Sequence, residues 1–80
     1  MRQNLSIGAL ATVTGCKVVT IRYYEKIGLL AEPGRNRGGH RIYDRRHLER
    51  LVFIRKAREL GFPLGTVREL LSLSARPVEA

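Results

Sequence analysis

Eighty residues, 44% of them apolar and 28% charged, suffice for one small domain. A second domain or a large enclosed pocket is excluded, because a chain this short buries only roughly 60–65% of its unfolded surface. Fifteen Lys and Arg against seven Asp and Glu leave a formal charge of +8, which argues against an acidic small-molecule site and favours a polyanionic partner. The single cysteine, Cys16, rules out an internal disulfide framework and cannot by itself build a zinc site. The longest uncharged run, Gln3 to Cys16, has 14 residues and includes Asn4, Ser6, Thr12 and Thr14. That is short of the ~20 apolar residues of a membrane span, and the start Met1-Arg2-Gln3-Asn4 lacks a signal-peptide core. A reduced, cytoplasmic globular domain with no membrane partner is expected.

In chain order, the punctuation separates four helical stretches and one glycine-tipped hairpin. Ser6 precedes Ile7, Leu10 and Ala11, an i, i+3, i+4 stripe, and is placed to accept from the free amides of a first turn. Leu5 and Leu10 form a hydrophobic staple across that cap, and the stretch ends near Thr14, with Gly15 able to take the left-handed closing conformation. A second helix, Val18 to Ile27, follows after three residues and stops at Gly28. Two short helices joined by a tight Gly-containing turn are the sequence form of a helix-turn-helix.

Leu29 and Leu30 return the chain to the core. Pro33-Gly34 reads as a turn, and Gly38-Gly39 reads as a hairpin tip between Arg35-Asn36-Arg37 and His40-Arg41-Ile42-Tyr43. Asp44 is a good N-cap for a long third helix, Arg45 to Leu60. Its apolar positions Leu48, Leu51, Val52, Phe53, Ile54, Ala57 and Leu60 cover more than one face, as expected of a central helix contacted from two sides. Gly61 closes it, with Phe62 folding back as the apolar contact of a Schellman end. Pro63 opens a last helix carrying Leu64, Val67, Leu70, Leu71 and Leu73, and the pattern stops beyond Ser74. The expected domain is 1–74, with 75–80 a tail.

Nine of the fifteen basic residues lie between Arg35 and Arg58, and twelve of the fifteen are Arg. The guanidinium fork matches phosphate oxygens and guanine edges two bonds at a time. The plain alternative is a solvated helix face. Against it, Arg35, Arg37 and Arg41 surround a tip without side chains to hold a phosphate backbone away. Arg45 and Arg46 stand in a first helical turn, where the macrodipole disfavours cations and only Asp44 offsets them. The second helix is the candidate reader. Val18, Ile21 and Glu25 share one face, the two apolar members marking the core side, while Val19, Arg22, Tyr23 and Lys26 lie on an exposed arc. Arg22 and Lys26 are one turn apart and suit a backbone or a base edge in a major groove. Tyr23 and Tyr24 point about 100° apart; one is expected to pack in the core with its hydroxyl at the rim, the other to give its hydroxyl to a phosphate.

At TVTGCKVVTIRYYEKIGLL the sequence resembles the N-terminal domain of the MerR family of bacterial transcription regulators. The resemblance continues through RNRGGHRIYD and HLERLVFIRKARELGFPLGTVRELLSL, covering residues 6 to 73 without an apparent gap, and is similar above all to the heavy-metal-responsive subgroup. It implies a mainly α, winged helix-turn-helix fold, about four helices plus a two-stranded wing. It also implies dimers on palindromic promoter sites in double-stranded DNA, the second helix in the major groove and the wing beside it, and distortion of the operator that acts indirectly on RNA polymerase. Carried over, Arg22 and Tyr24 become recognition-helix contacts, Arg35, Gly39, Arg41 and Tyr43 wing contacts, and Arg55 and Arg58 phosphate contacts from the third helix.

Some positions depart from the family pattern. Lys17 stands where a Ser or Thr cap is usual, a loss of about 1 kcal/mol, and places a charge at a phosphate-contact position. Ala9 replaces a frequent Glu of the capping box, His40 replaces a common wing tyrosine, and Arg45-Arg46 replaces a commonly acidic pair. The candidate DNA contacts are therefore Lys17, Arg22, Tyr23, Tyr24, Arg35, Arg37, Gly39, His40, Arg41, Tyr43, Arg55 and Arg58. The family dimerises through a long helix after this domain, and the chain ends at Ala80, so it is expected to be monomeric alone and a homodimer in a longer form. No cofactor and no metal site is expected: Cys16, His40 and His47 fall on separate elements, and Cys16 reads as a small buried apolar residue. An enzyme lacks any constellation here, the two histidines having no partner in sequence, and five aromatics are few for stacking RNA bases. The alternative in the same class is an excisionase-like architectural DNA-binding protein of a phage or plasmid.

Overall fold

The computed structural model describes residues 4–74; the tail expected at 75–80 lies outside the described residues. The first helix, α1, runs Ile7–Thr14, with the Ser6 hydroxyl accepting from the Ala9 amide at 3.1 Å. It ends at Gly15, whose φ of 74° closes the helix through a hydrogen bond to the Ala11 carbonyl. Thr14 then organises the turn: its hydroxyl donates to the Leu10 carbonyl at 2.8 Å and accepts from the Cys16 amide at 3.2 Å. Helix α2, Val18–Lys26, starts from Lys17, which offers no side-chain cap, as its chemistry dictates.

Gly28, at φ 78°, ends α2 in a Schellman motif: its amide donates to Glu25 and the Leu29 amide to Tyr24. The hairpin consists of β1, Gly34–Arg35, and β2, Arg41–Ile42, antiparallel with Gly34 opposite Ile42 and Arg35 opposite Arg41. Gly34 thus belongs to a strand rather than to a turn. Leu5 pairs with Tyr43 through two hydrogen bonds of 2.8 Å, tying the entry of α1 to the exit of the wing. Helix α3 is Arg45–Glu59 and α4 is Leu64–Ser74, the latter entered by the hydrogen bond from Val67 to the Pro63 carbonyl. The Schellman pattern recurs at the end of α3, where Gly61 donates to Arg58 and Phe62 to Ala57.

One core unites these pieces: Leu10 from α1, Ile21 and Tyr24 from α2, Leu29, Leu30 and Tyr43, then Leu51, Ile54 and Ala57 from α3 and Val67 and Leu71 from α4. Helix α3 packs on both α1 and α4. Its buried stripe is narrower than its composition suggests, because Val52, Phe53 and Leu60 are exposed, Leu60 at 77%. The i, i+3, i+6 set of Leu51, Ile54 and Ala57 fills the space between two neighbours, and an eighty-residue domain has no third layer to cover the other side. Leu73 on α4 is also exposed.

His47, which sequence left without a partner, completes a capping box. Its Nδ1 accepts from the Asp44 amide while Asp44 accepts from the Arg46 and His47 amides. Its Nε2 lies 3.1 Å from the Ala31 carbonyl, fastening α3 to the segment after α2. Burial raises the Asp44 pKa, but the hydrogen bonds from His47 and Arg46 outweigh it and hold the carboxyl below its ordinary value.

A side chain at Gly15 would fall on the Arg55 guanidinium, which itself caps α1 by donating to the Thr14 carbonyl at 2.7 Å. Added at Gly28, the nearest neighbour is Arg68 Nη1 at 3.8 Å, an ordinary contact. Gly15→Ala is therefore expected to cost about 2–3 kcal/mol and Gly28→Ala only about 1 kcal/mol, measured by urea unfolding; equal losses would mean that Arg55 does not hold the α1 end.

Candidate nucleic-acid interface

Helix α2 and the wing supply the two halves of the candidate interface. Ile21 and Tyr24 bind α2 to the core, so Val19, Arg22, Tyr23 and Lys26 face outward, as their spacing requires. Tyr24 is the tyrosine that packs inward. Its pKa is raised, first by burial and then by the neighbouring Cys16, and it reaches outside only at a recess shared with Lys17, Thr20 and Arg58. Tyr23, half exposed, stacks obliquely on it with centroids 6.2 Å apart, which leaves Tyr23 as the α2 phenol available to an outside partner.

The wing loop, residues 36–40, is ordered by Asn36. Its Oδ1 accepts from the Gly38 and His40 amides at 2.9 and 3.0 Å, and its carbonyl accepts from Gly39. Arg35 leans across the loop to donate to the Gly39 carbonyl at 2.8 Å. Asn36 was missed as a functional residue, although an Asn at a loop start is the ordinary signal of a side chain that substitutes for a backbone turn. Arg37, Gly39 and His40 are exposed around this tip, and a Cβ at Gly39 would touch nothing.

Tyr43 corrects the expectation of a wing contact. It is 0% exposed, and its hydroxyl donates to Glu25 Oε2 of α2 at 2.5 Å. The other Glu25 oxygen faces Arg41 Nη1 at 3.7 Å, with side-chain exposures of 10% for Glu25 and 37% for Arg41. Tyr43 also meets the His47 ring edge-on at 5.2 Å. The phenol is a strut between helix, wing and α3, not a group presented to solvent. Glu25 is a second residue that sequence reasoning missed as functional: it was placed on a face of α2, but its partners lie across the hairpin.

Arg55 and Arg58, expected as phosphate contacts from the third helix, are exposed and also bonded within the chain. Arg55 donates to the Thr14 carbonyl and to Glu59 at 3.0 Å, and Arg58 donates to the Phe62 carbonyl at 2.9 Å. Arg55 thus neutralises a carbonyl at the C-terminus of α1, where the macrodipole favours cations, Arg68 does the same for the α2 end through Ile27 at 2.6 Å, and Arg58 braces the turn between α3 and α4. Arg45 and Arg46 pair with Glu49 and Asp44, so their first-turn charge is offset by two carboxylates rather than by Asp44 alone. Much of the basic stretch thus has a partner within the chain while staying exposed, Arg45 and Arg46 included, and α2 adds Arg22 and Lys26 on its outward arc. Cys16 is half-buried beside the core, and among the described residues no three His, Cys, Asp or Glu stand together for a metal ion. Nor is any described helix long and apolar enough to cross a membrane.

A helix-turn-helix whose second helix is bolted to a two-stranded wing, backed by a second helix pair, defines a winged-helix DNA-binding domain. Residues 5–74 match the family described as MerR HTH family regulatory protein, and the chain belongs to that family. Its relatives include the HTH-type transcriptional regulator ZntR homolog of Haemophilus influenzae, 48% identical over 69 residues. That alignment takes in 86% of this chain and 51% of the relative, so the chain spans about half of that relative's length. Among solved structures, the transcription regulator PbrR691 from Ralstonia metallidurans CH34 in complex with lead(II) superposes with a TM-score of 0.84 at 45% identity, covering 95% of this chain and 59% of that one. HiNmlR, a MerR family regulator lacking the sensor domain and bound to promoter DNA, shares the fold with a TM-score of 0.81 at 24% identity, covering 90% of this chain and 55% of that one. These matches support a DNA-binding regulator and not the excisionase-like alternative.

The Tyr43 hydroxyl is pushed from its ordinary 10.0 up to about 12, first by burial and then by its bond to Glu25. The folded protein keeps a proton that the unfolded chain releases near 10, so this contribution to stability is whole below pH 10 and drains away as the pH rises through 12. Tyr43→Phe is expected to lose about 1.5–3 kcal/mol at neutral pH and to lack that alkaline component in denaturant titrations between pH 9 and roughly 12. A variant as pH-sensitive as the parent would contradict the bond.

Proposed function

We propose that this chain is the DNA-reading domain of a promoter-binding transcription regulator and not an enzyme. In this reading α2 lies in the major groove of double-stranded DNA and the wing rests on the adjoining backbone. The observation that carries it is the joining of the outward arc of α2, with Arg22, Tyr23 and Lys26, to the wing arginines Arg35 and Arg41 through the Glu25–Tyr43 strut. Fixed spacing between two basic elements is what engagement of two neighbouring groove edges demands. Arg22 supplies the fork for a guanine edge or a phosphate. Val19, 67% exposed one turn earlier, offers an apolar contact to a thymine methyl. Lys17, Arg35, Arg37, His40 and the open backbone at Gly39 meet phosphates, and Tyr23 rather than Tyr24 supplies the phenol.

By family likeness, a longer form would dimerise on a palindromic operator, deform it and thereby act indirectly on RNA polymerase. The metal-linked relatives favour a metal-responsive regulator as the parent protein.

Arg22→Ala is expected to weaken binding to the preferred duplex by about 1–3 kcal/mol and to relax base preference at one position. Arg35→Ala is expected to weaken all duplexes and reduce the salt slope by about one unit. Fluorescence anisotropy at several salt concentrations measures both. Wild-type indifference to duplex DNA at low salt would overturn the reading.

A further inference from the structure

The structure assigns to Glu25 a role of its own: we propose that it is the positioning residue for Arg41 and sets the selectivity of the duplex interface. The inference rests on the duplex-binding reading above. An acidic group on the recognition helix is a liability beside phosphates, since like charges across an interface are repelled. Glu25 nevertheless sits at the seam between α2 and the wing, in a recess lined by Arg22, Lys26, Glu32 and Arg41. Each of its oxygens has a separate partner. Oε2 takes the Tyr43 hydroxyl, which sets the distance between helix and wing, while Oε1 faces the Arg41 guanidinium at 3.7 Å.

The consequence for Arg41 is directional. The guanidinium has five donors, and charge attraction that holds one nitrogen 3.7 Å from the carboxylate leaves its remaining donors to an outside partner. A duplex whose groove width brings a phosphate to that point is met without rearrangement. Any other duplex obliges Arg41 to leave a carboxylate that is only 10% exposed, and stranding that charge is costly. Glu25 therefore penalises wrong duplexes more than it assists the right one, which is discrimination by an introduced cost.

Glu25→Gln separates the two functions, because the amide oxygen still accepts from Tyr43 while the charge that holds Arg41 is gone. The test compares a duplex recovered by the protein from a random-sequence pool with poly(dI-dC), across a salt series. For Glu25→Gln, poly(dI-dC) binding is expected to tighten several-fold with a salt slope steeper by about one unit. The selected duplex is expected to gain nothing, so that the ratio of the two affinities falls by the same several-fold factor. Adding Arg41→Ala to Glu25→Gln should return the poly(dI-dC) slope to the wild-type value. Arg41→Gln alone, which leaves the Glu25–Tyr43 bond in place, should weaken the selected duplex more than poly(dI-dC). Equal change on both duplexes, or joint weakening at the wild-type slope, would reduce Glu25 to a structural support and overturn the inference while leaving duplex binding intact. Failure of the wild type to bind either duplex would instead overturn the reading on which it rests.

Discussion

A phenol and a carboxylate meet at the seam where α2 touches the wing, and the geometry of the exposed face follows from that contact. A two-stranded hairpin with strands of two residues has too little pairing to hold its own position. Three ties compensate. The Leu5–Tyr43 pair sews the wing to the entry of α1, the Tyr43 ring enters the core, and its hydroxyl reaches Glu25 on α2. Because all three pass through residue 43, the wing is positioned by one side chain and its backbone. A hydrogen bond of this kind, buried and made to a charged acceptor, is worth more than an exposed one and costs more to break.

The arginines divide into two populations that composition alone cannot separate. Arg55 and Arg68 donate to carbonyls at the ends of α1 and α2, and Arg58 donates to the Phe62 carbonyl in the turn between α3 and α4. Arg22, Arg35 and Arg37, with Lys17 and Lys26, are turned outward. Arg41 is paired and outward at once, one nitrogen 3.7 Å from Glu25 and more than a third of its side chain exposed, and Arg45, Arg46 and Arg55 likewise pair with carboxylates while staying exposed. The high positive charge is therefore partly architecture, and the remainder is what the proposed duplex interface draws on. In a chain too small for a deep core, polar closure of helix ends supplements apolar burial.

Local signals made the elements legible in sequence. Ser6, Gly15, Gly28, Asp44, Gly61 and Pro63 act within a few residues of themselves, and each marks a boundary where the structure has one. The outward arc of α2 was legible for the same reason, since helical periodicity places Arg22, Tyr23 and Lys26 together. What was hidden depends on contacts between residues far apart in the chain. Tyr43 and Glu25 are 18 positions apart, and the Arg55–Thr14 and Arg68–Ile27 bonds each span 41. No short pattern tells a wing tyrosine that faces solvent from one that faces a carboxylate. Likewise the surplus apolar positions of α3, Val52, Phe53 and Leu60, look like core until the number of neighbours is known.

The central claim is that α2 and the wing move as one body because Tyr43 and Glu25 join them. Residual dipolar couplings of the backbone amides of the free protein test it most directly. A single alignment tensor of undiminished magnitude is expected to fit α2 and residues 34–42 together in the wild type, with the wing couplings averaging down in Tyr43→Phe. A wing tensor already reduced relative to that of α2 in the wild type would contradict the claim.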